Sequence, residues 1–281
     1  MEPLSRRLRA TYLITFTLFF AVITPIAILY AAGYRLSDLS LVPTGGIYVV
    51  APVGDAVVTL NGEEVGVSGL FTRSFYIDDL APGSYVVQAA REGYYPWAKT
   101  LVVERAVVTD VAAFLVPLEL EVTQLVVGTT SATSTRSISL NEQKDLLATF
   151  IEATTTATST IATSTPEDTR SGQGLFIEEG DLTLRWLRNA STTPSGFCTA
   201  PSSCTTEFYI ENGKEVVKDA RFFGMGAVYL TETGGLYYAE TDVRSSPLTV
   251  KIYSGKNAEF RLVSGTLVIK EGKTLYEVSG F

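Results

Sequence analysis

Residue types that commonly perform chemistry in proteins are scarce in this sequence of 281 residues, which has no histidine and two cysteines. Without imidazole, the Ser-His-Asp and Cys-His nucleophile systems cannot form, and zinc or iron sites that need histidine are excluded. Two cysteines cannot build a four-thiolate site either. The sequence therefore predicts no catalytic residue, no cofactor-binding residue and no metal ligand.

The two cysteines, Cys198 and Cys204, lie close together in the segment CTAPSSC. In an oxidising compartment this spacing favours a disulfide that closes a small loop. A redox-active pair is one alternative, although such pairs usually have two intervening residues. Half of a metal site is another, but no further type of ligand is evident. We predict a structural disulfide.

Carboxylates remain available for acid–base chemistry, because the chain has 30 aspartate and glutamate residues. A glycoside hydrolase needs two of them facing one cleft. Glu178, Glu179 and Glu271 instead fall at predicted hairpin tips, where water surrounds them. We therefore expect a protein that is not an enzyme. The alternative is an exported carboxylate-based hydrolase that acts on envelope polysaccharide.

Aromatic residues are the other candidates for binding, and the run Tyr94-Tyr95-Pro96-Trp97 concentrates three of them. An aromatic face offers a large apolar area on which a sugar ring can stack. This property makes Tyr94, Tyr95 and Trp97 candidate ligand contacts. The competing interpretation, which we favour, is that alternate members of the run face a hydrophobic core or cover its edge.

Residues 10–34 form an apolar segment without a charged side chain. This segment indicates where the chain meets a membrane. About 20 apolar residues in a helix span the roughly 30 Å hydrocarbon core of a bilayer, and a transmembrane helix tolerates a proline such as Pro25. We predict a cytoplasmic tail at 1–10 and an uncleaved signal-anchor helix at 11–34. A cleaved signal peptide, with small residues at 31–33 as its cleavage site, is the alternative.

The charges beside this segment set the expected orientation and partners. Three arginines precede it, at positions 6, 7 and 9, whereas Arg35 alone follows closely, and cytoplasmic flanks carry the positive excess. We therefore predict a single-pass cell-membrane protein with a cytoplasmic N-terminus and an extracytoplasmic C-terminal region. The net charge of −8 is the opposite of the basic balance typical of nucleic-acid binders, so nucleic acid is not an expected partner.

Strand and turn signals dominate after a predicted linker at 35–44. Asn61-Gly62, between apolar runs, is a strong two-residue hairpin signal. Ala81-Pro82-Gly83-Ser84 has the proline and glycine positions of a type II turn. The runs between such turns are rich in β-branched and aromatic residues. This pattern predicts a small antiparallel β-sandwich at 45–118.

The motifs of residues 45–118 resemble a PEGA domain, a family named for a Pro-Glu-Gly-Ala turn. The sequence contains GGIYVVAPVGDAVVTLNGEEVG and then IDDLAPGSYVVQAAREGYYPWAKTLVV. The turn lacks its glutamate, whereas the Asn61-Gly62 hairpin and the pair Gly93-Tyr94 fit the family. The resemblance implies a small β-sandwich of bacterial or archaeal surface and envelope proteins, often beside a membrane anchor. It also implies a spacer or binding role and no catalytic role.

Residues 119–281 are predicted to repeat β-hairpins, because strand, polar turn and strand alternate several times. The turns of the predicted hairpins lie at 141–144, 178–181, 211–214, 233–235 and 270–273. A Ser/Thr-rich stretch buries little apolar area, so we predict a flexible loop at 153–172. Irregular hairpin repeats favour a degenerate, propeller-like domain, with a second β-sandwich as the alternative. The stretch from Gly235 onward resembles the ends of uncharacterised bacterial membrane proteins that combine a PEGA domain with a propeller.

These features predict an all-β exported region behind one N-terminal transmembrane helix. The expected function is that of a non-catalytic, membrane-tethered envelope protein. Its role is binding or structural, toward a cell-wall or surface polysaccharide or an envelope protein. A sensor that signals inward is a third hypothesis, but a cytoplasmic tail of residues 1–10 is too short for a signalling domain.

Overall fold

The computed structural model describes residues 6–37, 40–128, 135–154, 166–211 and 213–281. The described chain is mostly β-sheet, with an apolar helix near its N-terminus and a second, shorter helix. The helices are α1 (Arg6–Ala31) and α2 (Leu140–Thr154). The strands are β1 (Tyr34–Ser37), β2 (Ser40–Pro43), β3 (Gly45–Val50), β4 (Val57–Leu60), β5 (Glu63–Val67), β6 (Ser74–Leu80), β7 (Gly83–Ala90), β8 (Trp97–Val103), β9 (Val108–Ala112), β10 (Glu121–Val127), β11 (Thr135–Ile138), β12 (Asp168–Arg170), β13 (Gln173–Glu178), β14 (Asp181–Trp186), β15 (Cys198–Ala200), β16 (Ser203–Cys204), β17 (Glu207–Glu211), β18 (Val217–Phe223), β19 (Gly226–Thr231), β20 (Gly235–Glu240), β21 (Thr249–Ser254), β22 (Ala258–Val263), β23 (Thr266–Glu271) and β24 (Thr274–Ser279).

Helix α1 is long and apolar enough to cross a membrane. An 18-residue stretch between Arg7 and Ala31 has a mean hydropathy of 2.3, and none of that stretch is buried by the rest of the protein. Pro25 lies inside the helix, as transmembrane helices tolerate. Large apolar side chains that protrude all along a helix suit a lipid environment, so α1 is compatible with a single-pass anchor.

The segment at 35–44, predicted as a linker, forms part of a two-stranded hairpin instead, since β1 pairs antiparallel with β2. Backbone hydrogen bonds then tie the helix end to the first sheets. The Thr44 N–H donates to the Gly33 carbonyl at 2.6 Å, and the Ala106 N–H donates to the Thr44 carbonyl at 2.8 Å. Helix α1 therefore continues into the body through hydrogen-bonded structure.

Residues 45–118, the N-terminal unit, contain two sheets, with strand orders β6-β3-β9 and β5-β4-β7-β8. The hairpin predicted at Asn61-Gly62 is confirmed: Leu60 pairs with Glu63, and the two turn residues have φ of 50° and 86°, as a type I′ turn requires. The prediction of purely antiparallel pairing is wrong, because β3 pairs in parallel with β9. This pairing joins strands that are distant in sequence, which local turn signals do not reveal.

The type II turn predicted at 81–84 is also wrong. Gly83 begins β7, and it is not among the glycines with the positive φ that its position in such a turn requires. Asp79 has the positive φ of this segment, 58°. Strands β6 and β7 belong to different sheets, so Ala81 and Pro82 carry the chain from one sheet to the other rather than closing a hairpin.

Residues 119–281, the C-terminal unit, contain three larger sheets. Their strand orders are β12-β13-β14-β17, β18-β19-β20-β21 and β11-β10-β24-β23-β22. The hairpins predicted at 178–181, 233–235 and 270–273 are confirmed as β13–β14, β19–β20 and β23–β24. Strand β10, near the start of this unit, pairs antiparallel with β24.

The hairpin predicted at 211–214 does not form. Strand β17 pairs with β14, and β18 pairs with β19, so the chain crosses here from one sheet to the next. The prediction of a flexible loop at 153–172 is wrong at its end, where β12 pairs with β13. Residues 155–165 of that predicted loop lie outside the described residues.

The turn predicted at 141–144 is helical, since α2 occupies this place, and the body is therefore not all-β. Ser139 precedes the helix and accepts a hydrogen bond at its Oγ from the Glu142 N–H at 3.1 Å, which satisfies one of the free N–H groups of a helix start. Leu146, Leu147 and Phe150 form one apolar face, and they pack against the sheet that contains β22 and β23. Capping and helical spacing of the apolar residues explain the helix.

One hydrophobic cluster includes buried residues from both units. The N-terminal unit contributes both of its sheets, and the C-terminal unit contributes the sheets of β19–β20 and β22–β24. Representative members are Ile47, Val58, Val87, Leu101, Val228, Leu236, Phe260, Leu267 and Val278. The junction between the units is therefore packed like a core, and polar groups inside it must find partners within the protein.

Candidate functional site

A cluster of buried charges lies where the N-terminal unit meets the C-terminal unit. Lys99, on β8, is 1% exposed, and Glu240, at the end of β20, is 3% exposed. Lys99 Nζ and Glu240 Oε2 are 3.0 Å apart. Burying a charge is costly unless the charge is paired and hydrogen-bonded, so this ion pair stabilises the junction only while both partners are present.

All three donors of the Lys99 ammonium group are used. Besides its contact with Glu240, Nζ donates to the carbonyl oxygen of Asp242 at 3.1 Å and to the carbonyl oxygen of Arg244. An ammonium group has three N–H donors and no acceptor. Lys99 therefore has no donor left for a ligand and acts as a connector between β8 and the segment after β20.

The Glu240 carboxylate is equally occupied. Its Oε1 accepts a hydrogen bond from Trp97 Nε1 at 2.9 Å, and its Oε2 accepts one from the Leu248 N–H at 3.0 Å. Burial raises the pKa of Glu240, while the charge of Lys99 acts in the opposite direction. Both oxygens are held by protein donors, which fixes the orientation of the carboxylate.

Arg244 provides a second connection and is 4% exposed. Its Nε donates to Asp242 Oδ1 at 2.9 Å and its Nη2 to Asp242 Oδ2 at 2.5 Å, the two-point geometry that suits guanidinium and carboxylate groups. Its Nη1 donates to the carbonyl oxygen of Asp110, on β9, at 2.8 Å. The guanidinium group thus joins the segment after β20 to the N-terminal unit.

A cavity of about 320 Å³ opens beside this cluster, between the edge of β8 and β9 and the segment 191–204. Its polar lining includes Thr109, Asp110, Ser191, Ser195, Thr199 and Arg244. Ser195 Oγ donates a hydrogen bond to Asp110 Oδ2 at 2.8 Å, which links the two walls. Hydroxyl groups, one carboxylate and one guanidinium group are suited to binding a polar, hydroxyl-rich molecule.

The predicted cysteine pair forms part of this wall. Cys198 and Cys204 are joined by a disulfide in the structure, and both line the cavity. Phe197, just before the disulfide, is completely buried, and its ring centroid is 5.3 Å from that of Phe208. A buried ring on one side and a disulfide across the loop fix the position of the cavity wall.

A second cavity, of about 200 Å³, shares Asp110, Ser195 and Arg244 with the first and adds Glu240 and Asp242 to its lining. Three carboxyl side chains thus line one cavity. In a glycoside hydrolase, however, an acid must give its proton to the ligand and a second carboxylate must face the ligand or its water. Glu240 and Asp242 instead accept hydrogen bonds from protein donors. In the part of the chain that the structure describes, no group of three His, Cys, Asp or Glu residues is placed to hold a metal ion.

The aromatic residues proposed from the sequence have different environments. Trp97 is 2% exposed, and its indole N–H is bonded to Glu240, so its ring faces the core and offers no surface to a ligand. Tyr95 is half-buried and packs against the hydrophobic core. Tyr94 is half-buried beside Arg91, whose guanidinium group lies 4.8 Å from its ring centroid. The structure therefore does not present the three rings as one exposed surface.

Lys99, Glu240 and Arg244 were not predicted from the sequence as site residues. A signal was present for Lys99, because Trp97, Lys99, Leu101 and Val103 are the inward-facing positions of β8. Lysine is rarely buried unless it is paired, so a lysine in the inward register indicates an acidic partner elsewhere in the chain. No local pattern identifies Glu240 as that partner.

The chain was also compared with known proteins. No protein-family model matches it, and no curated protein matches it.

Proposed function

We propose that this protein is a membrane-tethered, extracytoplasmic envelope protein with a non-catalytic binding or spacer role. Its partner is a cell-surface polysaccharide or an envelope protein. Helix α1 supplies the anchor. The arginines at positions 6, 7 and 9, against Arg35 alone on the other side, favour a cytoplasmic N-terminus and an exported body.

We infer that the N-terminal unit is a PEGA-like β-sandwich and that the C-terminal unit is an incomplete propeller. In support, the sheets β6-β3-β9 and β5-β4-β7-β8 contribute to one buried cluster. Propeller blades are four-stranded sheets, and β12-β13-β14-β17 and β18-β19-β20-β21 each have four strands. The pairing of β10 with β24 brings the two ends of the C-terminal unit together in one sheet.

The main support for the non-catalytic proposal is that the buried charged groups at the junction bind other groups of the protein. Lys99 and Glu240 bind each other, and Arg244 binds Asp242 and the carbonyl of Asp110. These groups connect the two units. Glu240, Asp242 and Arg244 also line the cavities, but their charged atoms are bound by protein partners. A body connected in this way holds a binding surface at a fixed place relative to its anchor, as a spacer or binding protein requires.

The test is co-sedimentation of the detergent-solubilised full chain with purified envelope polysaccharide, followed by measurement of released reducing ends. We expect the protein to sediment with the polymer, or to retain an envelope protein in a parallel affinity experiment, and to release no sugar. Release of reducing ends would overturn the non-catalytic proposal. Failure to retain any envelope component would overturn the binding role.

The alternative is the exported carboxylate-based hydrolase. It is favoured by one observation: Asp110, Glu240 and Asp242 line the same cavity, and burial raises the pKa of Glu240, as in a general acid. Glu240→Gln keeps the size of the side chain and removes the acid. If the protein is a hydrolase, this variant loses sugar release, whereas under our proposal neither form releases sugar.

A further inference from the structure

The sheet β6-β3-β9 has an outer face with two exposed aromatic rings. Tyr48, on β3, and Tyr76, on β6, are directly paired residues, so their side chains stand on the same face. Tyr48 is 38% exposed and Tyr76 is 57% exposed. Two neighbouring tyrosine rings on a sheet surface provide apolar faces with polar edges, the combination that suits a sugar ring.

A glycine beside these rings leaves room for one of them to lie close to the sheet. Gly46, two residues before Tyr48 on β3, shares the outer face and is paired with Val108 on β9. A Cβ atom at Gly46 would lie 3.2 Å from both the hydroxyl oxygen and a ring carbon of Tyr76. The missing side chain therefore lets the Tyr76 ring lie close over β3.

Toward α1, this face ends in a cavity of about 220 Å³ whose lining includes Tyr30, Ala31, Gly46, Tyr76 and Val108. Tyr30 and Ala31 belong to the last turn of α1. A bilayer that surrounds α1 therefore places this cavity at the level of its headgroups. At this depth a lipid presents its headgroup. The position of the cavity therefore indicates a lipid headgroup as its ligand.

The charges around the cavity disfavour an anionic headgroup. Arg35, in the cavity wall, is paired with Asp79, and its guanidinium group lies 3.6 Å from the centroid of the Tyr30 ring. Asp78 also lines the cavity, and Asp110 lies on the same outer face, opposite Tyr48.

One more cation lies nearby, because the guanidinium group of Arg105 is 5.2 Å from the centroid of the Tyr34 ring. With Arg244 and Asp242, which lie beside Asp110, the region holds three guanidinium groups and four carboxyl groups, so acidic groups are in excess by one. Carboxylates accept hydrogen bonds from sugar hydroxyls and repel phosphate.

We propose that the outer face of β6-β3-β9, from Tyr30 past Tyr76 and Tyr48 to Asp110, binds the uncharged sugar headgroup of a membrane glycolipid. Val108 lines both the membrane-side cavity and the 320 Å³ cavity at the junction, so the two cavities adjoin this residue. The sugar stacks on the tyrosine rings and donates hydroxyl hydrogen bonds to Asp78 and Asp110. This inference rests on the proposed anchoring of the protein by α1.

The experiment uses the full chain reconstituted in phosphatidylcholine nanodiscs that contain either a monoglucosyl diacylglycerol or phosphatidylglycerol. After gentle release into detergent, native mass spectrometry counts the lipids that remain bound to each protein. We expect the glucolipid to be retained about tenfold more than phosphatidylglycerol. A tenfold difference in affinity is what roughly one favourable contact contributes. The double variant Tyr48→Ala/Tyr76→Ala should lose about tenfold of this retention.

The matched control is Tyr209→Ala, because Tyr209 is 53% exposed and lies on β17 of the C-terminal unit. This control should retain the glucolipid, and thermal unfolding should show that all variants are folded. Equal retention of the two lipids, or retention that the double variant does not change, would overturn the proposal. A double variant that changes the oligomeric state but not lipid retention would assign the face to contact between copies, which also overturns it.

Failure of this inference is distinguishable from failure of the proposed function. A protein that inserts into the nanodiscs without glucolipid selectivity contradicts the headgroup site and leaves the anchor intact. A protein that does not insert contradicts the anchor, and the headgroup site is overturned with it.

Discussion

The two junctions of this molecule use charge differently. Between the N-terminal and C-terminal units, the side chains of Lys99 and Glu240 are 0% and 3% exposed, whereas between α1 and the N-terminal unit those of Arg35 and Asp79 are 24% and 49% exposed. Breaking a buried pair by removing one partner costs about 3–5 kcal/mol, but an exposed pair contributes about 0–1 kcal/mol. The unit–unit junction therefore depends on its charges, and the helix junction depends mainly on backbone hydrogen bonds.

The largest expected effect comes from breaking the buried pair. Glu240→Ala should lower the free energy of unfolding by about 3–5 kcal/mol, because it leaves Lys99 buried without its counter-charge. The measurement is urea denaturation of the detergent-solubilised chain, followed by tryptophan fluorescence. The double variant Lys99→Met/Glu240→Leu should regain part of the loss. It removes both charges together, but it leaves the Trp97 and Leu248 N–H groups without their acceptor.

A matched control for this prediction is Glu259→Ala. Glu259 pairs with Lys270 at 3.0 Å, but the two side chains are 43% and 23% exposed, so we expect a loss of less than about 1 kcal/mol. Equal losses for Glu240→Ala and Glu259→Ala would show that burial does not distinguish the two pairs.

The disulfide should have the next largest effect. Cys198→Ser/Cys204→Ser opens a loop of five intervening residues, and the loop-entropy model gives a loss of about 2 kcal/mol. The loss should appear in the urea midpoint of the oxidised protein and vanish when wild type and variant are compared under reducing conditions. A difference that persists under reducing conditions would mean that the serine side chains, rather than the missing cross-link, destabilise the cavity wall.

The pH dependence of stability should separate Glu240, at the junction, from Glu215, in the bend before β18. Burial raises the pKa of Glu240, so its contribution to stability increases as the pH falls through that raised pKa. Hydrogen bonds from Thr231, Thr233 and Tyr237 lower the pKa of Glu215. The contribution of Glu215 is therefore present above its ordinary pKa and is lost as the pH falls through the lowered one.

We expect Glu240→Gln to make the loss of stability in acid steeper and Glu215→Gln to make it shallower. Urea midpoints measured from neutral to acidic pH check both variants. If the two substitutions change the slope in the same direction, the contrast between the raised pKa of Glu240 and the lowered pKa of Glu215 does not hold.

The smallest effect belongs to the helix junction. Arg35→Gln should lower the free energy of unfolding by about 0.5 kcal/mol at low salt, and the difference should decrease as salt screens the pair with Asp79. Asp79→Asn is the reciprocal variant and should behave in the same way. A loss as large as that of Glu240→Ala would place this junction in the same class as the buried one.

The sequence predicted structure where the signal was local. The Asn61-Gly62 turn specified its hairpin because both positions adopt positive φ, and polar turns located three hairpins of the C-terminal unit. Prediction failed where pairing joins distant strands, as in the parallel pair of β3 and β9. It failed at α2 for another reason: the capping pair Ser139 and Glu142 lies among repeated strand and turn patterns, which favour a hairpin at this place.

The candidate site was less predictable than the fold. Cys198 and Cys204 were evident because their types and spacing are informative on their own. Lys99, Glu240 and Arg244 acquire their importance from burial and from partners in another unit. Nothing in the sequence distinguishes Tyr48 and Tyr76 from other strand residues. They become neighbours only through the pairing of β3 with β6.

The pairing of β10 with β24 has a consequence for biosynthesis. Leu125 of β10 is paired with Leu275 of β24, so during synthesis from N- to C-terminus β10 emerges long before this partner. The sheets of the N-terminal unit close among strands that emerge earlier. Contacts of such large sequence separation form slowly, and an unpaired strand edge invites wrong partners. The nascent protein is therefore most vulnerable to misassembly and proteolysis in the interval before β24 emerges.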